Sequence, residues 1–128
     1  MRILLDTHAL IWALDDPSNL TPAAIAAIQD PANDIQLSVA TIWEMAIKVC
    51  QGKLKLSLPF RDWLEKGILD LKLSLLGISL THAERLASLP AHHKDPFDRL
   101  LISQSLEEAI PILSVEAMFD KYGVNRIW

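Results

Sequence analysis

The segment RILLDTHALIWAL, residues 2–14, contains the strongest indication of the fold class. Its first part, Arg2–Leu5, is a short apolar run typical of a strand buried on both faces, and residues 7–14 have the pattern of a helix. Asp6 stands between the two parts. A strand that leads directly into a helix is the repeating unit of a parallel α/β sheet, so Asp6 is expected at the carboxyl end of a strand.

The same alternation of extended and helical patterns continues to the end of the chain. Further strands are predicted at residues 35–38, 75–79, 111–114 and 124–128. Further helices are predicted from Thr21-Pro22, from a Thr41–Glu44 capping box to about Gly52, and over residues 59–67, 81–89, 95–109 and 115–122, the 81–89 helix with a second Thr-x-x-Glu box. Strands joined by helices imply right-handed crossovers and a parallel sheet with helices on both faces.

Composition limits the class of protein. The 128 residues, 51% of them hydrophobic, suit one domain (1–128) with a core that buries roughly two thirds of the unfolded surface. No apolar run approaches the ~20 residues of a membrane span, and no signal peptide is recognised. The lone Cys50 cannot form an internal disulfide; its neighbours indicate a buried thiol, and it suits a reducing cytoplasm. The net charge of −4 counts against a passive nucleic-acid binder.

Acidic residues follow or accompany the predicted strands. They are Asp6, Glu44, the pair Asp95 and Asp98, and Glu116. The ligand crevice of a parallel sheet lies outside the carboxyl ends of its strands. Carboxylates gathered there repel one another unless cations lie between them, so this pattern predicts a metal site.

Each acid also has an ordinary structural explanation. Asp6 suits the N-cap of the helix that follows it. Glu44 completes the capping box and stands four residues before Lys48, a helical ion-pair spacing. Asp95 and Asp98 suit the N-cap and third position of a helix, where the helix dipole favours anions. Taken singly, these explanations remain open beside the metal site.

Other polar and aromatic residues are given less specific roles. Asp120 is interpreted as part of a solvated helix face. His92 and His93 precede Asp95 but lack zinc-like spacing to further ligands, so they are interpreted as loop-packing or supporting residues. The four tryptophans are interpreted as core or interface residues rather than base-stacking platforms: Trp12, Trp43, Trp63 and Trp128.

Four segments in this order resemble the PIN-domain family, and within it the ribonuclease toxins of bacterial VapBC-type toxin–antitoxin pairs. They are LLDTH (4–8), SVATIWE (38–44), HKDPFDRLLI (93–102) and F-x-x-Y-G-V (119–124). The likeness spans essentially the whole chain, and the H-x-D-P-F-D-R stretch is its most specific part.

The resemblance implies a PIN-like three-layer α/β/α fold, with a central parallel sheet of four to five strands, and an endoribonuclease dependent on Mg²⁺ or Mn²⁺. It implies that Asp6, Glu44 and Asp98 are catalytic metal ligands and that Asp95 is an additional ligand. Glu116 stands where the family usually has Asp, and is expected as the fourth catalytic acid; whether Glu116 or Asp120 fills that role stays open.

Supporting roles are expected for hydroxyl and basic side chains. Thr7, Ser38 and Ser114 would orient ligands or waters. Lys48 and Arg99 are candidates for contacts with the phosphates of the substrate.

The resemblance also implies partners: an RNA substrate, a cognate antitoxin that covers the crevice, and a second copy of the chain in a homodimer, all in the cytoplasm and without a membrane. Two other functions remain in competition. One is a non-catalytic interaction module whose acids are mainly helix caps. The other is a phosphoryl-transfer enzyme similar to haloacid-dehalogenase-like phosphatases, with Asp6 as covalent nucleophile; that family has a second Asp two residues on, where this chain has His8.

Overall fold

The computed structural model describes residues 1–128 and contains a five-stranded parallel sheet. The strands are β1 (Arg2–Leu5), β2 (Asp34–Ser38), β3 (Ser74–Leu76), β4 (Ile112–Leu113) and β5 (Arg126–Ile127). Their order across the sheet is β3-β2-β1-β4-β5, so β1 lies at the centre. All neighbouring pairs are parallel, as the sequence predicts.

Six α-helices connect or follow these strands. They are α1 (Thr7–Asp15), α2 (Pro22–Gln29), α3 (Val39–Cys50), α4 (Phe60–Asp70), α5 (Leu80–Ala87) and α6 (Pro96–Glu108). Two short 3₁₀ helices cover Pro17–Asn19 and Ala117–Tyr122. None of the helices has the length and apolar character needed to cross a membrane.

The sheet separates two hydrophobic clusters. Ile3 and Leu5 of β1 belong to one cluster, which includes residues of α1, α2 and α4, among them the buried Trp63. Leu4 points to the opposite face and joins Leu101 and other residues of α6. This alternation along β1 is the two-residue period of a strand. The result is the predicted three-layer α/β/α arrangement.

The strand register brings the predicted site residues to one edge. Leu5 of β1 is the register partner of Leu113 of β4. The residues that follow them, Asp6 and Ser114, therefore leave the sheet side by side, and the Asp6 N–H donates to the Leu113 carbonyl at 3.1 Å. On the other side of β1, β2 ends at Ser38 and α3 begins at once, so the acids of α1 and α3 start from adjacent strand ends.

Helix starts were predicted with mixed success. The Thr21 cap of α2, with Pro22 in the first helical position, is confirmed. The Asp95 cap of α6 is confirmed as well. The Thr41 capping box is wrong, because the Ser38 hydroxyl accepts the Ala40 N–H at 3.1 Å and α3 begins two residues before Thr41. The strand passes into the helix without a loop, and the Thr-x-x-Glu spacing alone does not reveal this.

The region around β3 also differs from the prediction. β3 ends at Leu76, because Ser79 caps α5 instead of continuing the strand. The capping box of α5 pairs Ser79 with His82, whose Nδ1 accepts the Ser79 N–H at 3.0 Å, so the predicted Thr-x-x-Glu box starting at Thr81 is wrong. The predicted helix over residues 115–122 is the 3₁₀ helix Ala117–Tyr122. Cys50 is exposed, not buried.

Candidate active site

Asp6 is both a helix cap and a buried acid. One carboxylate oxygen accepts the Ala9 N–H at 2.7 Å, which caps α1, and the carboxyl also hydrogen-bonds to Ser114. The residue is only 2% exposed. Burial raises the pKa of Asp6, and the charge of Glu116 adds to this rise, while the bonds from Ser114 and Ala9 oppose it. The prediction that Asp6 caps α1 is therefore confirmed, and capping does not exclude a further role for this carboxyl.

Glu44 of α3 is buried next to α1, and two side chains donate hydrogen bonds to its carboxylate. The Thr7 hydroxyl donates to its Oε1 at 2.5 Å, and Lys48 Nζ lies 2.6 Å from its Oε2. Glu44 is 3% exposed, so the predicted pair with Lys48 exists but is not an exposed one. The hydrogen bond to Glu44 raises the pKa of Lys48, and the charges of Glu44, Asp95 and Asp98 raise it further. Lys48 therefore stays protonated next to several acids.

The start of α6 supplies two more carboxylates. Asp95 Oδ1 accepts the N–H groups of Phe97 (2.8 Å) and Asp98 (3.0 Å), which makes it the N-cap. Burial raises the pKa of Asp98 to about 7, and the charges of four other acids add to the rise: Asp95, Glu44, Asp6 and Glu116. One carboxyl thus experiences the repulsion of all the other predicted site acids, so the five lie within electrostatic range of one another and are called the acidic group below.

His93, predicted as a loop-packing or supporting residue, contacts this cluster. Its Nδ1 accepts the Asp95 N–H at 3.1 Å. The ring proton of neutral His93 is therefore on Nε2, which lies 3.0 Å from Asp98 Oδ2 and donates to it. The His-x-Asp spacing in H-x-D-P-F-D-R was the sequence signal for this contact, but a two-residue spacing alone does not specify which nitrogen faces which acid.

Arg99 holds the loop before α6. Its terminal nitrogens donate to the carbonyls of Leu89, Pro90 and His93 at 2.8–3.2 Å and to the Tyr122 hydroxyl at 3.3 Å. These bonds fix the loop that carries His93. The structure therefore places this predicted phosphate-binding residue in a supporting position.

Glu116 and Asp120 contact different residues. The Asp120 carboxylate is exposed and binds the Arg126 guanidinium at 2.8 and 3.0 Å; this hydrogen bonding lowers the Asp120 pKa. Glu116 donates its N–H to the Ser114 hydroxyl at 3.0 Å, and its charge acts on Asp6 and Asp98. Glu116 therefore belongs to the acidic group, while Asp120 lies outside it.

The three predicted supporting hydroxyls have different neighbours. Thr7 and Ser114 contact Glu44 and Asp6, respectively. The Ser38 hydroxyl instead donates to the Gln104 side-chain oxygen at 2.6 Å while capping α3. Ser38 thus ties α3 to α6 and contacts no carboxylate of the group.

The chemistry of these donors suits a hard divalent cation. Carboxylate oxygens are the preferred protein ligands of Mg²⁺, and a cation would relieve the repulsion that raises the pKa of Asp98. The five acids do not, however, form a ready-made cage, since no three side chains of Asp, Glu, His or Cys are arranged around one point for an ion. Glu44 and Asp98 instead point oxygens at Lys48 and His93. A bound cation would have to exchange with these partners.

No cavity of the protein lies at the acidic group. The protein has five cavities, and none is lined by any of the five acids. The largest, about 410 Å³, lies beside Asn33 and Ile35 at the opposite end of β2. A small-molecule substrate is usually enclosed in a pocket, and the five acids line none of these cavities.

Comparisons with known proteins agree with this architecture. A family model of the PIN domain matches residues 3–125. Ribonuclease VapC22 of Mycobacterium tuberculosis is 31% identical over 108 residues, which are 82% of this chain and 79% of the relative.

Solved structures show the same fold. The structure of VapBC2 from Rickettsia felis, bound to a promoter DNA fragment, has a chain that matches with a TM-score of 0.76 and 14% identity over 100% of both chains. FitAcB from Neisseria gonorrhoeae matches with a TM-score of 0.63 and 17% identity, over 97% of this chain and 95% of that one. VapBC-1 from nontypeable Haemophilus influenzae matches with a TM-score of 0.67 and 13% identity, over 98% and 96%.

Proposed function

Because this chain belongs to the PIN-domain family, we propose that it is an endoribonuclease toxin that hydrolyses RNA phosphodiester bonds with Mg²⁺ or Mn²⁺ and is neutralised by a cognate antitoxin. The observation that carries the proposal is the Asp98 carboxyl, whose pKa is raised to about 7 by burial and by four neighbouring acids. Repulsion among these carboxylates destabilises the folded protein unless a positive charge lies among them. Acids with strongly shifted pKa values are concentrated at functional sites.

Asp6, Glu44 and Asp98 would hold the cation, with Asp95 as an additional ligand. When bound, Mg²⁺ or Mn²⁺ supplies positive charge at the reacting phosphate and makes a water more acidic. The chain itself contributes orientation. Thr7 holds one oxygen of Glu44 through a 2.5 Å hydrogen bond, which limits the rotation of a buried carboxylate.

The remaining predicted residues take roles around this group. Glu116 is proposed as the fourth catalytic acid, since its charge acts on both Asp6 and Asp98. Lys48, which stays protonated, is proposed to contact a substrate phosphate as well as Glu44. Arg99 is proposed to position the loop that carries His93, because its terminal nitrogens are occupied by the carbonyls of that loop and by the Tyr122 hydroxyl.

The proposed partners follow from the comparisons. The relative VapC22 is a ribonuclease. The matched structures from Rickettsia felis and Haemophilus influenzae are of VapBC2 and VapBC-1. We propose RNA as substrate, an antitoxin that covers the acidic edge, and a homodimer, all in the cytoplasm where RNA is abundant.

The direct test is RNA cleavage by the purified chain with Mn²⁺ or with a chelator. We expect cleavage only with the metal, and a loss of at least about 100-fold in the Asp6→Asn and Asp98→Asn variants, because one metal ligand loses its charge in each. Asp120→Asn is the matched control, since this acid is exposed and paired with Arg126. Full activity in Asp6→Asn would refute the assignment.

A specific observation also favours a non-catalytic interaction module. Asp6 and Asp95 each cap a helix, and no ready-made metal cage is present. Calorimetric titration with Mn²⁺ distinguishes the two functions. A site that weakens in Asp98→Asn supports the nuclease, whereas a titration without binding heat supports the module.

A further inference from the structure

Gln104 of α6 is a completely buried polar residue, and both ends of its amide are hydrogen-bonded. Its Oε1 accepts the Ser38 hydroxyl at 2.6 Å, and its Nε2 donates to the Gly77 carbonyl at 3.1 Å. A carbonyl can only accept, so the amide NH₂ faces Gly77 and the amide oxygen faces Ser38. Gln104 therefore connects α6 to two other segments of the chain in one defined orientation.

The contact with Ser38 lies at the start of α3. The Ser38 oxygen accepts the Ala40 N–H at 3.1 Å as the N-cap of α3, and the proton of the same hydroxyl is donated to Gln104. A hydroxyl has one proton and two lone pairs, so the two bonds are compatible. No other side-chain hydrogen bond joins residues 38–50 to α6. The position of α3 along α6 therefore depends on this bond and on packing.

A second contact between the two helices shows that they run antiparallel. Ser38 lies against Gln104, whereas the Trp43 ring, further along α3, packs on Phe97 near the start of α6, with centroids 5.3 Å apart. Trp43 is 58% exposed and is therefore not a core residue. Ser38 and Gln104 are both fully buried. Their hydrogen bond is thus the inner of the two contacts, where a missing partner destabilises most.

Two acids of the proposed metal site are equally far along the chain from this hydrogen bond. Glu44 is six residues after Ser38, and Asp98 is six residues before Gln104, which is about 9 Å along a helix. A change in the position of α3 along α6 would therefore move one acid relative to the other. The acids do not form a ready-made cage, so a cation that binds them depends on where the two helices place them.

We propose that Gln104 is a positioning residue of the nuclease: through the Ser38 hydroxyl it fixes α3 against α6 and so sets the affinity of Glu44 and Asp98 for a divalent cation. The inference rests on the proposed nuclease function and adds a residue outside the acidic group. Loss of a residue that orients metal ligands typically weakens metal binding by about 10- to 100-fold. Because Gln104 acts through two helices, the low end of this range, about 10-fold, is expected.

The test measures Mn²⁺ binding by the full chain and its variants from the electron paramagnetic resonance signal of free Mn²⁺, well below the unfolding temperature. Gln104→Met keeps the length of the side chain and loses both hydrogen bonds, so the dissociation constant should rise about 10-fold. Ser38→Ala breaks the same bond from the other side and should weaken binding at least as much. Since both substitutions break one bond, the double variant should bind no more weakly than Ser38→Ala. RNA cleavage by Gln104→Met should be slow at low Mn²⁺ and return to the native rate at saturating Mn²⁺.

Ser105→Ala is the matched control. The Ser105 hydroxyl is a buried group of the same helix, and its hydrogen bond to the Ile110 carbonyl at 2.6 Å does not involve α3. Its loss should lower stability in urea unfolding, as Gln104→Met does, and leave Mn²⁺ affinity unchanged. Native Mn²⁺ affinity in Gln104→Met overturns the proposal. Equal losses of affinity in Ser105→Ala and Gln104→Met also overturn it, since affinity would then follow general stability, and so do additive losses in the double variant. If circular dichroism shows that Gln104→Met does not fold, Ser38→Ala decides by the same criteria.

The proposal and the proposed function fail in distinguishable ways. If the native chain binds Mn²⁺ and cleaves RNA, but Gln104→Met and Ser38→Ala bind Mn²⁺ as the native chain does, only the positioning role is wrong. If the native chain neither binds Mn²⁺ nor cleaves RNA, the nuclease and the positioning role are both wrong.

Discussion

Asp98→Asn should stabilise the metal-free protein. Burial and four acids raise the pKa of this carboxyl from 3.8 to about 7, and its side chain is 21% exposed. Since each pH unit of this rise corresponds to about 1.36 kcal/mol, ionised Asp98 destabilises the folded state by about 4 kcal/mol. Asparagine loses the charge but weakens the hydrogen bond from His93, which offsets about 1 kcal/mol. The expected net gain at pH 8 is therefore about 3 kcal/mol.

The stability gained in Asp98→Asn should depend on pH. Below the pKa that Asp98 has in the unfolded chain, its carboxyl is neutral in both the folded and the unfolded state. Its ionisation then does not change the free energy of unfolding. Between the unfolded value and about 7 the unfolded chain ionises more readily than the folded one, and stability falls as the pH rises. Above about 7 the penalty is complete and constant. The gain in Asp98→Asn should therefore grow from below about 1 kcal/mol at pH 5 to about 3 kcal/mol at pH 8.

The assay is urea unfolding followed by far-ultraviolet circular dichroism at pH 5, 6, 7 and 8, with a chelator present. A parallel series contains Mn²⁺. Metal at about 100 times its dissociation constant should stabilise the parent by about 2.7 kcal/mol and the variant by less. A variant less stable than its parent at pH 8, or a gain that is equal at pH 5 and pH 8, would show that repulsion among the acids does not destabilise the folded protein.

Two further expectations concern the neighbours of Asp98. Lys48→Gln leaves the buried Glu44 carboxylate without its cation, so we expect a loss of about 1–3 kcal/mol in urea unfolding together with weaker RNA binding. A variant as stable as its parent would show that the pair is not what holds Glu44. Glu116→Gln should reduce Mn²⁺-dependent RNA cleavage, whereas Asp120→Asn, whose carboxylate binds Arg126 at the surface, should leave it unchanged. The reverse result in a gel assay would assign the fourth acid to Asp120.

The ends of the strands were the part of this protein that could best be predicted from the sequence. A short apolar run followed by an acid predicted both the end of β1 and the position of Asp6, because strand length and the α/β alternation leave few arrangements. The partnership of Asp6 with Ser114 follows from the register of Leu5 and Leu113. That register depends on the order of strands in the sheet, which no local pattern contains.

Helix starts and ring orientations were less accessible, because several local arrangements satisfy one pattern. Ser38 and Thr41 both precede an apolar helical face, and only the absence of a loop after β2 decides that Ser38 is the cap. The exposure of Trp43 depends on how α3 packs on α6. In both cases tertiary packing decides between equal local alternatives.

The structural and the catalytic explanations of the acids do not exclude each other. A carboxylate has two oxygens, and a cap requires only one. Asp95 illustrates this: its Oδ1 accepts both N–H groups at the start of α6, and its Oδ2 accepts no hydrogen bond from the chain. Capping fixes the side chain with one oxygen and leaves the other for a ligand. Asp6 likewise caps α1, which begins directly at the end of β1, so this capping acid lies at the carboxyl edge of the sheet. The repulsion among acids brought together in this way is what a divalent cation would relieve.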